Sequence, residues 1–138
     1  MINIIAKIDM KKLTILLMLI VVVLLPMSVS AKKQAELKFD ETVYNFGTIP
    51  EDGGKVSHTF TFTNTGDANL MIIDAKADCG CTIPQFPKEP IAPGKKGVIK
   101  VTFDPKYRPG AFSKIVTIRS NAKNKKARVK IAGRVNPN

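Results

Sequence analysis

The chain has 138 residues, with 22 Lys+Arg against 11 Asp+Glu and a formal net charge of +11. That is one domain's worth of chain, too short for a two-domain enzyme, a TIM barrel of about 250 residues or a full doubly wound nucleotide-binding fold. One His, two Cys and no Trp leave little material for metal or acid–base chemistry.

The first element reads as a leader. Lys11 and Lys12 form a short basic region, and Leu13 to Leu25 is apolar apart from Thr14. Pro26 ends the run, and Val29-Ser30-Ala31 places small residues where a signal peptidase reads them. This is the three-part pattern of a secretory signal peptide over residues 1–31, with cleavage expected after Ala31. Met1 and Met10 both qualify as starts. The rival reading is an uncleaved membrane anchor. A helix over Leu13–Leu25 spans about 20 Å, however, against a hydrocarbon core of roughly 30 Å. Loss of Lys7, Asp9, Lys11 and Lys12 with the leader lowers the charge from +11 to +9. The expected destination of residues 32–138 is the periplasm or the outside of the cell.

Beyond the leader, period-2 alternation recurs between Gly, Pro, Asn and Asp clusters, the pattern of short strands. Leu37 and Phe39 alternate with charge, and Val43, Tyr44 and Phe46 follow. Gly47 and Pro50 to Gly54 read as a turn. Val56, His58, Phe60 and Phe62 share one strand face, with Ser57, Thr59, Thr61 and Thr63 on the other. Asn64-Thr65-Gly66-Asp67 reads as a turn, and Leu70 to Ala77 as the next strand. Pro84 to Pro93 is rich in proline, which blocks ladder hydrogen bonds, so it reads as a crossing loop or an edge. Val98 to Phe103 is a strand with Ile99, Val101 and Phe103 facing in, and Phe112 to Arg119 is another. Ala127, Val129, Ile131, Gly133 and Val135 then alternate with Arg128, Lys130, Ala132 and Arg134, so the last strand exposes a basic face, as a solvated or edge strand does.

About seven short strands in about 100 residues predict an all-β fold, an immunoglobulin-like antiparallel β-sandwich. A small closed barrel is the alternative. The Cys…Trp…Cys pattern of antibody domains is absent from the sequence.

Several motifs occur together in order. They are Tyr44-Asn45-Phe46-Gly47, Phe60-Thr61-Phe62-Thr63-Asn64-Thr65-Gly66, Cys79-Gly80-Cys81-Thr82, Pro93-Gly94, Val101-Thr102-Phe103-Asp104 and Gly133. The set resembles the bacterial domain-of-unknown-function family numbered fifteen seventy-three, over nearly all of residues 36–135. Many members carry Asp where this chain has Asn45. The resemblance implies an immunoglobulin-like sandwich similar to Hydin-type and major sperm protein domains, in the envelope of Bacteroidetes-type bacteria. It implies no known activity.

Cys79-Gly80-Cys81 is the one chemically pointed element. In an exported protein thiols tend to oxidise. Residues two apart on an extended strand sit about 6.6 Å apart in Cα position, at the limit for a disulfide, whereas a bend at glycine permits one. So small a loop gains only about 1.6 kcal/mol from chain entropy before strain, which makes a stapling role weak. Three readings stand. The pair is a structural feature of a strand end, a redox-active dithiol, or a soft-metal site for copper or zinc completed by His58 or Met71. Two thiolates alone are too few for a closed zinc site. His58, on the apolar face of a Phe-rich strand, reads first as a core-edge residue. A Cys79–His58–Asp78 nucleophile is disfavoured because Asp78 and Cys79 point to opposite faces of an extended strand.

The positive charge suits contact with an anionic envelope surface, or mere solubility, better than nucleic acid, and envelope proteins are the other partners expected. Beyond the leader Lys outnumbers Arg 15 to 4, and the dense segment Asn121 to Lys126 lacks the aromatics that stack bases. The expectation is therefore an exported, non-enzymatic interaction or structural module, without a catalytic set or a cofactor. The alternative is a thiol-redox or soft-metal protein using Cys79 and Cys81. Ligand and oligomeric state stay open.

Overall fold

A computed structural model describes residues 9–24 and 26–138 and divides the chain into two compact units, Met1–Lys32 and Lys33–Asn138. In the first, α1 spans Met10–Val23 and buries none of its residues. Asp9 caps it, its carboxylate accepting the Lys11 N–H at 3.4 Å. From Leu13 to Val23 the helix is apolar on every side apart from Thr14. Residues 1–8 and Leu25, which the leader reading includes, lie outside the described residues. Among the described residues no helix is long and apolar enough to cross a membrane.

The second unit is a two-sheet sandwich of eight strands. These are β1 (Leu37–Phe39), β2 (Val43–Pro50), β3 (Val56–Asn64), β4 (Ile72–Ala77), β5 (Thr82–Gln85), β6 (Lys96–Phe103), β7 (Gly110–Ser120) and β8 (Lys126–Asn136). One sheet has the order β1-β3-β6-β5 and the other β2-β8-β7-β4. The pairs are antiparallel except for β2 with β8, which run parallel. The strand beyond the seven expected is β5. It takes in Pro84 and lies at a sheet edge, where a missing N–H breaks no ladder.

The period-2 pattern decides which side of each strand is buried. Phe60 and Phe62 of β3 and Ile99, Val101 and Phe103 of β6 face inward from one sheet. Val116 and Ile118 of β7 and Val129, Ile131 and Val135 of β8 meet them from the other. Each is essentially inaccessible to water, and such burial stabilises by about 1.5–3 kcal/mol per side chain. Gly97 stands directly opposite Phe62, and a Cβ there would run into the Phe62 ring.

Two local expectations change, and the choice between a solvated and an edge position for the last strand is decided. Gly47 is a bulge inside β2 rather than part of a turn; its φ of 69° accompanies a register shift between Asn45 and Thr48. Leu70 and Met71 precede β4 instead of starting it, and Leu70 bridges to Ile91. β8, the strand with the basic face, is not an edge. It lies between β2 and β7.

Candidate functional site

β4 ends at one edge of its sheet and β5 begins at one edge of the other, so residues 78–81 carry the chain from sheet to sheet. The bend at Gly80 brings Cys79 and Cys81 into a disulfide with Cα atoms 5.4 Å apart. Backbone bonds hold this crossing as well as the bridge. Asp78 N–H donates to Ile115 O at 3.3 Å, Thr82 N–H to Cys79 O at 3.3 Å and Asp104 N–H to Cys81 O at 3.0 Å.

The two sulfurs differ in surroundings. Cys81 is only 4% exposed, whereas Cys79 is half-buried. Cys79 Sγ accepts the Cys81 N–H at 3.2 Å. The buried Thr82 hydroxyl lies 3.9 Å from Cys79 Sγ and 3.6 Å from Cys81 Sγ. A cleft of about 540 Å³ opens beside the bridge, walled by Phe103, Pro109 and Phe112 and carrying Arg108, Ser113 and Lys114.

Arg108 and Lys114 were not legible as site residues, although Lys114 left a trace. It falls on the inward alternation of β7 with Phe112, Val116 and Ile118, a lysine where an apolar residue is expected. It is half-buried there because the cleft opens beside it. Arg108 is placed by its loop, with Nη1 donating to Lys106 O at 2.8 Å. Asp104 accepts the Lys106 N–H, and Glu51 accepts that of Tyr107, which sits at φ 62°.

The four sequence candidates do not converge. Cys79 and Cys81 are bonded to each other. His58 stacks on Tyr44, with ring centroids 3.6 Å apart, meets Phe60 edge-on at 4.8 Å and pairs with Glu41. It is a core-edge residue facing a carboxylate of its own. Met71 precedes β4 at the end opposite Cys79, roughly 20 Å away along the strand. Its N–H donates to Asn121 Oδ1 at 2.8 Å. Neither His58 nor Met71 lines the cleft, so the soft-metal set Cys79, Cys81, His58 and Met71 is not assembled. Among the described residues no group of three or more His, Cys, Asp and Glu is arranged to hold a metal. The Cys79–His58–Asp78 arrangement is likewise not formed, because Cys79 is in the bridge and His58 faces Glu41.

A second surface lies on the outer face of the other sheet, where cross-strand register builds rows of cations. Asp74, Arg119 and Lys126 form one row, Lys76, Thr117 and Arg128 the next, and Ile115, Lys130 and Val43 a third. An uncharged row of Asn45, Ala132 and Ser113 separates these from Arg134, which lies beside Ala111. Arg119 Nε reaches both carboxylate oxygens of Asp74 at 3.0 Å, and its Nη2 reaches Oδ2. These charge-assisted bonds hold the Asp74 carboxyl below its ordinary pKa and raise that of Arg119. The salt bridges among the described residues are Arg119–Asp74 and His58–Glu41. The remaining cations of the face are left to solvent or to a partner.

Comparison with solved structures shows the same fold at low identity. The chain is 15% identical to a protein of unknown function from Porphyromonas gingivalis, with a TM-score of 0.65 over 78% of this chain and 50% of that one. It thus spans half the length of that protein. The ASH/PapD-like domain 7 of human CEP192 matches at 8% identity and a TM-score of 0.56, over 80% of this chain and 92% of that one. The E. coli chaperone DraB matches at 9% identity and a TM-score of 0.51, over 75% and 56%. No curated protein matches the chain. A family pattern matches residues 37–135, from the start of β1 almost to the end of β8, and on that match the chain belongs to the family described as "Protein of unknown function (DUF1573)".

Proposed function

We propose that the protein is exported, with residues 1–31 removed as a signal peptide. On this reading its sandwich is a non-enzymatic interaction module that docks on an acidic protein surface of the bacterial envelope. The observation that carries the proposal is the basic outer face of the β2-β8-β7-β4 sheet. Lys76, Lys126, Arg128, Lys130 and Arg134 stand there around one neutralised pair, Arg119–Asp74. Charge of one sign spread over a rigid sheet steers oppositely charged partners and speeds encounter. Ile115 and Val43, 41% and 52% exposed, flank Lys130 in its row. Apolar side chains amid the cations suit a protein partner better than a polysaccharide or a lipid headgroup. That one sandwich of this fold is named as a chaperone is in keeping with a protein-binding role.

The test is capture of envelope proteins by the purified protein at about 0.15 M and about 1 M salt, where the screening length falls from about 8 Å to about 3 Å. A partner bound at low salt, released at high salt and lost by the R128E/K130E variant supports the proposal. Equal capture by wild type and variant rejects the sheet face as the docking surface. N-terminal sequencing of the envelope form checks export, with Lys32 as the expected first residue.

A further inference from the structure

We propose that the Cys79–Cys81 bridge is a thiol–disulfide exchange site. It would accept two electrons from a pair of cysteine thiols on an extended, acidic segment of another polypeptide lying in the adjoining cleft. This goes beyond the docking role and uses a different surface.

The bridge does no structural work that the backbone does not already do. It joins residues two apart in sequence, so it constrains almost none of the unfolded chain. It crosses no sheet and closes no loop between strands. Three backbone bonds, at Asp78, Thr82 and Asp104, also tie the crossing to its neighbours.

Its surroundings give the bond a direction. With Cys81 buried and Cys79 half-buried, an incoming thiolate reaches Cys79 Sγ first. Gly80 stands between them, and the fold itself does not demand a glycine there. Its φ is outside the left-handed region, and beyond Cys79 and Cys81 themselves a Cβ would meet no atom within 4 Å. The missing side chain leaves the approach to the sulfur open. Lys114 and Arg108 in the cleft draw an anionic nucleophile and favour thiolate over thiol.

The exchange balances in two displacements. A partner thiolate attacks Cys79 Sγ and forms a mixed disulfide; the Cys79–Cys81 bond breaks, and its electron pair goes to Cys81 Sγ, which takes up a proton. The partner's second thiolate then attacks the partner sulfur of the mixed disulfide. Cys79 leaves as a thiolate, placed to accept the Cys81 N–H, with the Thr82 hydroxyl nearby, and takes up the second proton from water. The partner ends with a disulfide and this chain with two thiols. The partner dithiol is oxidised, and the bridge is reduced.

The experiment uses glutathione as the probe. Millimolar reduced glutathione under native conditions should open the bridge while circular dichroism stays unchanged. With oxidised glutathione, the C81S variant should form a mixed disulfide at least tenfold faster than the C79S variant, because its free thiol is the accessible one. G80L, which keeps both cysteines, should slow opening at least fivefold with the fold intact. R108Q/K114Q should lower the rate with anionic glutathione several-fold more than the rate with uncharged 2-mercaptoethanol. A bridge inert to reduced glutathione, equal reactivity of the two single-cysteine variants, or no effect of G80L would overturn the proposal. Binding through the sheet face is read in a separate assay, so the two proposals fail independently.

Discussion

Asn64 and Ile91, 27 residues apart, are joined by a partly buried hydrogen bond in which Asn64 Nδ2 donates to the Ile91 carbonyl at 2.9 Å. The same amide donates to Ala68 O at 2.7 Å, while its Oδ1 accepts Gly66 N–H at 3.1 Å and Glu36 N–H at 3.3 Å. One side chain, wholly inaccessible to water, thus ties together the end of β3, the turn after it, the residue preceding β1 and the segment before β6. An Asn64→Ala variant leaves those groups without their partner. It is expected to lose about 2–4 kcal/mol in urea unfolding. Asn64→Asp turns the two donors into acceptors facing carbonyls, and should fare no better at neutral pH.

Gly97 supplies a second expectation. Because Phe62 lies over it from the neighbouring strand, Gly97→Val forces that buried ring to move. Overpacking of this kind costs about 1–3 kcal/mol, and thermal unfolding should register it. The same substitution at the exposed Gly80 should leave the melting temperature almost unchanged.

Removal of both sulfurs should matter far less than removal of one core ring. The Cys79→Ser, Cys81→Ser double variant is expected to lose less than about 2 kcal/mol, since its loop is so short. Phe60→Ala should lose about 3–5 kcal/mol. A double variant that unfolds at room temperature would show that the bridge, and not the backbone bonds of the crossing, holds the two sheets' edges together.

The Asp74–Arg119 pair predicts an acid-side effect. The Asp74 carboxyl is held below its ordinary value of 3.8 by the Arg119 hydrogen bonds. Its contribution is therefore complete above that value and is lost as pH falls through the lowered pKa of the folded state. Comparing Asp74→Asn with wild type by thermal unfolding should give a small constant difference from pH 5 to 7 that closes in strong acid. Arg119 is exposed and Asp74 half-buried, so added salt should shrink the difference without abolishing it.

Alternation was enough to locate β3, β6 and the inward sides of Phe60, Phe62, Ile99, Val101 and Phe103, because a sheet buried on one face writes its period into the sequence. Neighbours across space left no such mark. Nothing local distinguishes a central strand from an edge, so the basic face of β8 is as compatible with one as with the other. Asn64 was legible as a turn residue from its Asn-Thr-Gly setting, but not as a buried link, since its partners Glu36 and Ile91 are tens of residues away. The cysteine pair was visible at once. The cleft that makes the pair interesting is built by Phe103, Arg108 and Phe112 from β6, β7 and the loop between them, and only the fold brings that region beside β4 and β5.

The parallel pairing of β2 with β8 sets the order in which the molecule can assemble. A strand from the beginning of the sandwich waits for the last one, and until that arrives β2 and β7 each lack the neighbour between them. Such distant pairing makes folding slow relative to chains rich in local contacts. It also means that during synthesis the β2-β8-β7-β4 sheet cannot close before residues 126–136 have left the ribosome, whereas every strand of the β1-β3-β6-β5 sheet is by then already made.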